Sequence, residues 1–217
     1  FMGDNLYADP GAHPSYTLRL EPLTMMAALA VTTSRIGLGA TASTTYGDPF
    51  NTARAFASLD HISRGRAAWN AVTSANPVSG ANFGIEHPSH AARYERAEEF
   101  IEVVTRLWDG WEDDALVADR ESGLYIDPGK IRSIDHVGRH FKVKGPLNIG
   151  RTPQGRPVVL QAGGSGPGQA LAARTADVVF SVTQDLDEAK AAYASVKARL
   201  AAHGRTMDEL TILPGVM

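Results

Sequence analysis

Cysteine is absent from the 217 residues, and with it go disulfides, thiolate metal sites and a thiol nucleophile. That absence fits a reducing compartment, and the cytoplasm is the expected location. No apolar run approaches the ~20 residues that a membrane-spanning helix needs. The opening residues Phe1, Met2, Gly3, Asp4 and Asn5 carry no basic stretch of the kind that starts a signal peptide. Neither export nor membrane insertion is expected. An excess of one charge is also lacking: 21 Lys and Arg face 24 Asp and Glu, a formal net charge of −3. Such a balance gives no general pull toward nucleic acid or an anionic membrane. Internal repeats, low-complexity tracts and dividing linkers are missing as well, so a single domain over 1–217 is expected.

What is present is a globular composition, 43% hydrophobic and 21% charged, enough to bury one sizeable core. Apolar strand-like runs alternate with helix-like ones, the pattern of a parallel sheet covered by helices. Strands are expected at 35–41, 66–70, 157–161, 178–182 and 211–216, and helices at 23–31, 50–62, 90–108 and 187–203. Pro22 and Asp48-Pro49 are the start signals of the first two helices, and right-handed crossovers would join the strands. Two segments break the rhythm as insertions. Residues 74–89 are rich in Asn, Gly, Pro and Ser, and 109–156 form a long polar stretch with a hairpin pattern at 137–147. Insertions of this length cover a site, serve as contacts between subunits or are plain surface excursions.

The run Gln161-Ala162-Gly163-Gly164-Ser165-Gly166-Pro167-Gly168 leads from the apolar residues 157–160 into a helix. Its glycines let backbone approach an anion, Ser165 adds a hydroxyl, and the first helical amides point free N–H groups outward. Histidines are the side chains whose ordinary pKa suits proton transfer near neutrality. Of the seven, His87 and His90 flank the first insertion and are the candidates for entering a site. No pairing of histidines with carboxylates has a metal-ligand spacing, and no metal is expected. Trp108 and Trp111 are read as packing residues, and Arg132, Arg139 and Lys142 as a solvated hairpin face.

Several runs carry a family resemblance: Gly39-Ala40-Thr41-Ala42-Ser43-Thr44, Asp60-His61-Ile62-Ser63-Arg64-Gly65-Arg66 and Trp69-Asn70-Ala71-Val72-Thr73-Ser74. With Arg93-Tyr94, the segment from Leu107 to Ala115 and Gln161-Ala162-Gly163, the chain resembles the luciferase-like flavin monooxygenases over almost its whole length. The branch it is similar to contains the nitrilotriacetate, EDTA, dibenzothiophene sulfone and pristinamycin monooxygenases. The resemblance implies an α/β TIM (β/α)8 barrel, of which this chain would carry about strands 2 to 7. Phe1 to Asn5 look like the tail of the second strand and Ile212 to Val216 like the seventh.

An open barrel of that kind would expose strand edges and favour a homo-oligomer. The implied activity is that of a two-component monooxygenase. Reduced FMN (FMNH2) from an NAD(P)H:flavin reductase, a transient partner, would react with O2 and oxidise a small organic substrate through a C4a-peroxyflavin. The alternative is a non-catalytic flavin- or phosphate-binding fragment, or an assembly piece. Sites of such barrels lie at the C-terminal ends of the strands, where Asp4, Thr41, Ser43, Asn70, Val72, Thr73 and Ser165 fall. By resemblance, Asn70 would bond the flavin ring edge, Val72 support the ring plane and Thr73 add a polar contact. Gly164 with Ser165 would hold the phosphate, and Tyr94 would reach the phosphate or ribityl chain. The family often draws on a histidine near the first strand, which this chain lacks, so no catalytic residue is assigned beyond the candidates His87 and His90.

Overall fold

A computed structural model describes residues 2–3, 6–8, 11, 18–183 and 185–215. Five strands form one parallel sheet in the order β1-β2-β5-β6-β7: β1 (Leu38–Ser43), β2 (Ala67–Val72), β5 (Val158–Gln161), β6 (Val178–Ser181) and β7 (Thr211–Pro214). Met2 extends the sheet beyond β1 through a parallel bridge to Ala40, its N–H donating to Gly39 O at 2.8 Å. Helices α1 (Pro22–Thr32), α2 (Pro49–Ser63), α3 (His90–Trp108), α4 (Gly166–Thr175) and α5 (Leu186–Leu200) separate the strands. This is the alternating α/β order expected from the sequence. No helix among the described residues is long and apolar enough to cross a membrane.

Each helix begins on a side chain that satisfies amides left open by the first turn. Glu21 takes the N–H of Leu23 and Thr24, Asp48 that of Asn51, Ser89 that of Ala92, and Asp185 those of Asp187 and Glu188. The last helix is shorter than expected, because α5 gives way after Leu200 to a 3-10 turn at Ala201–His203. β1 starts three residues later than expected. The reason is Arg66, whose guanidinium takes the carbonyls of Ala30, Thr33 and Ile36 at 2.7–2.9 Å and so holds 33–37 as a turn. β2 runs two residues further than expected, to Val72, in register with Ser43. Val216, expected in the last strand, lies outside the described residues.

The main core lies between the sheet and α1, α2 and α3. At its centre Trp69 is fully buried among Phe56, Phe100 and Trp108, with ring centroids 5.8–6.2 Å away. Trp108 donates its indole N–H to Ala53 O at 3.0 Å and Trp111 donates to Leu147 O at 2.7 Å. Trp108, 2% exposed, is a core residue, and Trp111 is a half-buried one tied to the second insertion by that bond. A smaller cluster gathers α4, α5, β6 and Leu210. The second insertion carries the expected hairpin, β3 (His136–Val137) against β4 (Lys142–Val143). The first is ordered around a 3-10 turn at Pro77–Phe83.

Candidate flavin site

Alternation along β2 sends Trp69 into the helical layer and leaves Asn70 for the opposite side of the strand. Asn70 is 4% exposed and donates its amide to Thr41 Oγ1 at 2.8 Å, while Thr41 donates to Met2 O at 2.9 Å. Three neighbouring strand positions thereby fix the orientation of one amide. Both residues line a cavity of about 460 Å³ at the C-terminal ends of β1, β2 and β5, within the size range of small-molecule sites. Val72 and Thr73 continue its wall. Gln161, 3% exposed and anchored through its amide on Thr175 Oγ1 at 2.7 Å, lines it from β5.

The far wall is built where α3 meets the glycine run. Tyr94 lines the cavity, and its hydroxyl lies 3.3 Å from Ser165 Oγ. Ser165 also caps α4, accepting the Gly168 N–H at 3.2 Å. A Cβ on Gly168 would stand 2.9 Å from both Gly163 O and the Tyr94 hydroxyl, and one on Gly163 would stand 3.2 Å from that hydroxyl. Those two glycines are required by close packing. Gly164 is different: a Cβ there meets nothing within 4 Å, so its backbone is open. The arrangement places two hydroxyls and the start of a helix together, the chemistry that receives a phosphate. The residues present thus fit a flavin mononucleotide, with a fixed amide for the ring edge in the cavity and, behind Tyr94, Gly163 and Gly168 on its wall, an anion cradle at Gly164 and Ser165, which do not themselves line it.

Other expected site residues sit elsewhere. Asp4 lies outside the described residues. Ser43 does not line the cavity; its Oγ accepts the N–H of Thr45 and Tyr46 at 3.1 and 3.2 Å and contacts Ser74 Oγ at 2.7 Å. His87 is held between Arg93, whose Nη1 donates to Nε2 at 2.7 Å, and the Tyr46 hydroxyl, 2.5 Å from Nδ1. Arginine only donates, so Nε2 accepts and the ring hydrogen sits on Nδ1. Burial and then the Arg93 charge push His87 below the ordinary histidine pKa, and burial pushes Tyr46 up. Both stay neutral at neutral pH. His90 packs its ring 4.8 Å from that of Tyr94, and neither histidine lines the cavity. Sequence reasoning passed over Gly163, Gly168 and Gln161 as lining residues although they stand in the glycine run, and over Ser74, which closes the Trp69 to Ser74 run. The signal was position beside a recognised candidate.

A family model described as luciferase-like monooxygenase matches residues 6–217. The N-acetyl-S-(2-succino)cysteine monooxygenase of Bacillus subtilis (strain 168) is 50% identical over 217 residues, which cover 100% of this chain and 49% of that protein. The nitrilotriacetate monooxygenase component A of Aminobacter aminovorans is 56% identical over 199 residues, 91% of this chain and 44% of that one. The crystal structure of a riboflavin lyase with modified FMN and riboflavin superposes with a TM-score of 0.89 at 37% identity, covering 93% of this chain and 45% of its own. The chain spans about half the length of the curated relatives it matches, and its sheet and helices follow the luciferase-like TIM-barrel arrangement of these structures. This chain belongs to the luciferase-like monooxygenase family.

Proposed function

We propose that the protein works as an FMN-dependent monooxygenase of a cytoplasmic two-component system, fed with reduced FMN by a separate NAD(P)H:flavin reductase and acting on a small organic substrate. The observation that carries this reading is one cavity lined by Thr41 and the Asn70 amide on one side and by Tyr94, Gly163 and Gly168 on the other, with Ser165 just behind, 3.3 Å from the Tyr94 hydroxyl. The name of one relative, component A of a nitrilotriacetate monooxygenase, supports a multi-component system. The modified FMN in the riboflavin lyase structure supports the cofactor.

Bound reduced FMN would supply the two electrons with which O2 gives one oxygen atom to substrate and the other to water. The chain's own part is positional. Asn70, locked by Thr41, would orient the ring edge, Val72 would give an apolar wall and Thr73 a polar contact. Tyr94 and Ser165 would hold the phosphate beside the open backbone of Gly164. The 74–89 insertion contributes Ser74, Asn76 and Ser79 to the wall and would keep water from the reacting atoms.

The test is anaerobic titration with reduced FMN, followed by reaction with 18O2 in the presence of a flavin reductase. The first compounds to try are nitrilotriacetate and N-acetyl-S-(2-succino)cysteine. Saturable binding and one labelled oxygen in the product are expected. Binding without labelled product from any substrate would reduce the reading to flavin binding, and no binding would remove it.

A further inference from the structure

Residues 74–89 supply Ser74, Ala75, Asn76 and Ser79 to the cavity wall, yet hydrophobic burial does little to keep them there. Val78, Phe83 and Ile85, the large apolar side chains of the segment, are 59%, 44% and 46% exposed. A segment that buries so little apolar surface opens easily unless polar bonds hold it.

Those bonds gather on one residue. His87 Nε2 accepts Arg93 Nη1 from the start of α3 at 2.7 Å, and its Nδ1–H donates to the Tyr46 hydroxyl at 2.5 Å. Tyr46 sits in the loop after β1, where Ser43 Oγ takes its N–H and the hydroxyls of Thr44 and Thr45 donate to Val72 O and Thr73 O. Its ring also stacks on Phe83, the centroids 4.5 Å apart and the planes 8° from parallel. Arg93 is 7% exposed, gives a second bond to Pro88 O at 2.7 Å and precedes Tyr94, which lines the cavity. The imidazole therefore bridges two anchored elements, one from the end of β1 and one from α3, and the insertion hangs from that bridge.

We infer that His87 is the positioning residue that holds the 74–89 insertion in place as a wall of the flavin cavity, through its bridge from Arg93 to the Tyr46 hydroxyl. The ring is no acid or base for the reaction, because both nitrogens are engaged and it does not line the cavity. The inference rests on the reading of this cavity as a flavin site.

The experiment compares the wild-type protein with His87→Ala, His87→Gln, Tyr46→Phe and the double variant His87→Gln/Tyr46→Phe. Affinity for reduced FMN is measured by anaerobic titration. Hydrogen exchange is followed at the Ile85 N–H, which donates to Gly80 O within the insertion, with the Trp69 amide of β2 as the core reference. His87→Ala removes both ends of the bridge and is expected to speed exchange at Ile85 about tenfold, leave Trp69 unchanged and weaken FMN binding about tenfold. His87→Gln keeps an acceptor for Arg93 without reaching Tyr46, and Tyr46→Phe keeps the stack without the hydroxyl. The two break one link from opposite ends, so each is expected to lose about threefold in FMN affinity and the double variant no more than either alone. Losses that add in the double variant, unchanged exchange at Ile85 in His87→Ala, or faster exchange with unchanged FMN affinity would each overturn the inference and leave the flavin reading standing. An equal rise at Trp69 makes His87 a general stabiliser and overturns it too. If the wild-type protein does not bind FMN, the flavin reading falls, and the exchange measurement alone decides whether His87 holds the insertion.

Discussion

Two glycines four residues apart separate packing from permissiveness. In Gly168→Ala the new methyl gains about 1 kcal/mol of helix propensity, yet it would stand 2.9 Å from a backbone oxygen and from the Tyr94 hydroxyl. Overpacking against backbone costs about 1–3 kcal/mol, so the clash wins, and Tyr94 must shift. The expected result is a protein destabilised by about 1 kcal/mol in urea unfolding, with weakened FMN binding. Gly164→Ala, with open space around it, is expected to stay within about 0.5 kcal/mol of wild type. Equal behaviour of the two variants would refute the packing account. At this scale the sequence was legible where a side chain's role follows from its place on a strand, as for Asn70 and Thr41. It was not legible where the role comes from a contact between distant segments. No spacing announces that Tyr94 will press on Gly163 and Gly168, or that Arg93 will fix the ring of His87.

The hairpin of β3 and β4 is fastened to α3 through Glu99. This carboxylate accepts His136 Nε2 and the N–H groups of His140 and Phe141, each at 2.9 Å. Burial lifts its pKa, but the three hydrogen bonds and the His136 charge outweigh it, and the net value lies below the ordinary glutamate. A depressed folded-state pKa contributes stability above the unfolded value of about 4.3, lost as pH falls through the folded value. The hairpin is therefore expected to hold at neutral pH and to open in acid. Exchange of the Gly138 N–H, which donates to Phe141 O, measures this once corrected for intrinsic rates; equal opening free energies at pH 6 and well below 4 would contradict it. A second fastening sits at the other end of the strands. Arg66→Ala removes the donors that hold the carbonyls of Ala30, Thr33 and Ile36 and is expected to cost about 2–3 kcal/mol in denaturant unfolding. The start of β1 was misplaced in the sequence for the same reason. The apolar run begins at Ile36, but a side chain from the next βα unit claims its carbonyl.

Across the whole molecule stability is divided unevenly. The cluster around Trp69 gathers three helices and the first strands, whereas β6, α5 and Leu210 share a smaller one. Amides of Val179 and Ile212 are expected to exchange faster than those of Ala40 and Trp69, since local opening tracks buried apolar contact. Uniform protection across the sheet would argue for one cooperative unit. The order of strands and helices was readable because hydrophobic periodicity is local; the division into two clusters was not, because it depends on which faces meet. One pairing has a further consequence. Asn70 lies beside Leu160 in the sheet, although both the 74–89 and 109–156 insertions intervene in the chain. Closing so long a loop is entropically expensive and slow. The two ends of the cavity are therefore expected to come together late in refolding, and uptake of FMN would then act as a clock for the completion of that single strand pairing.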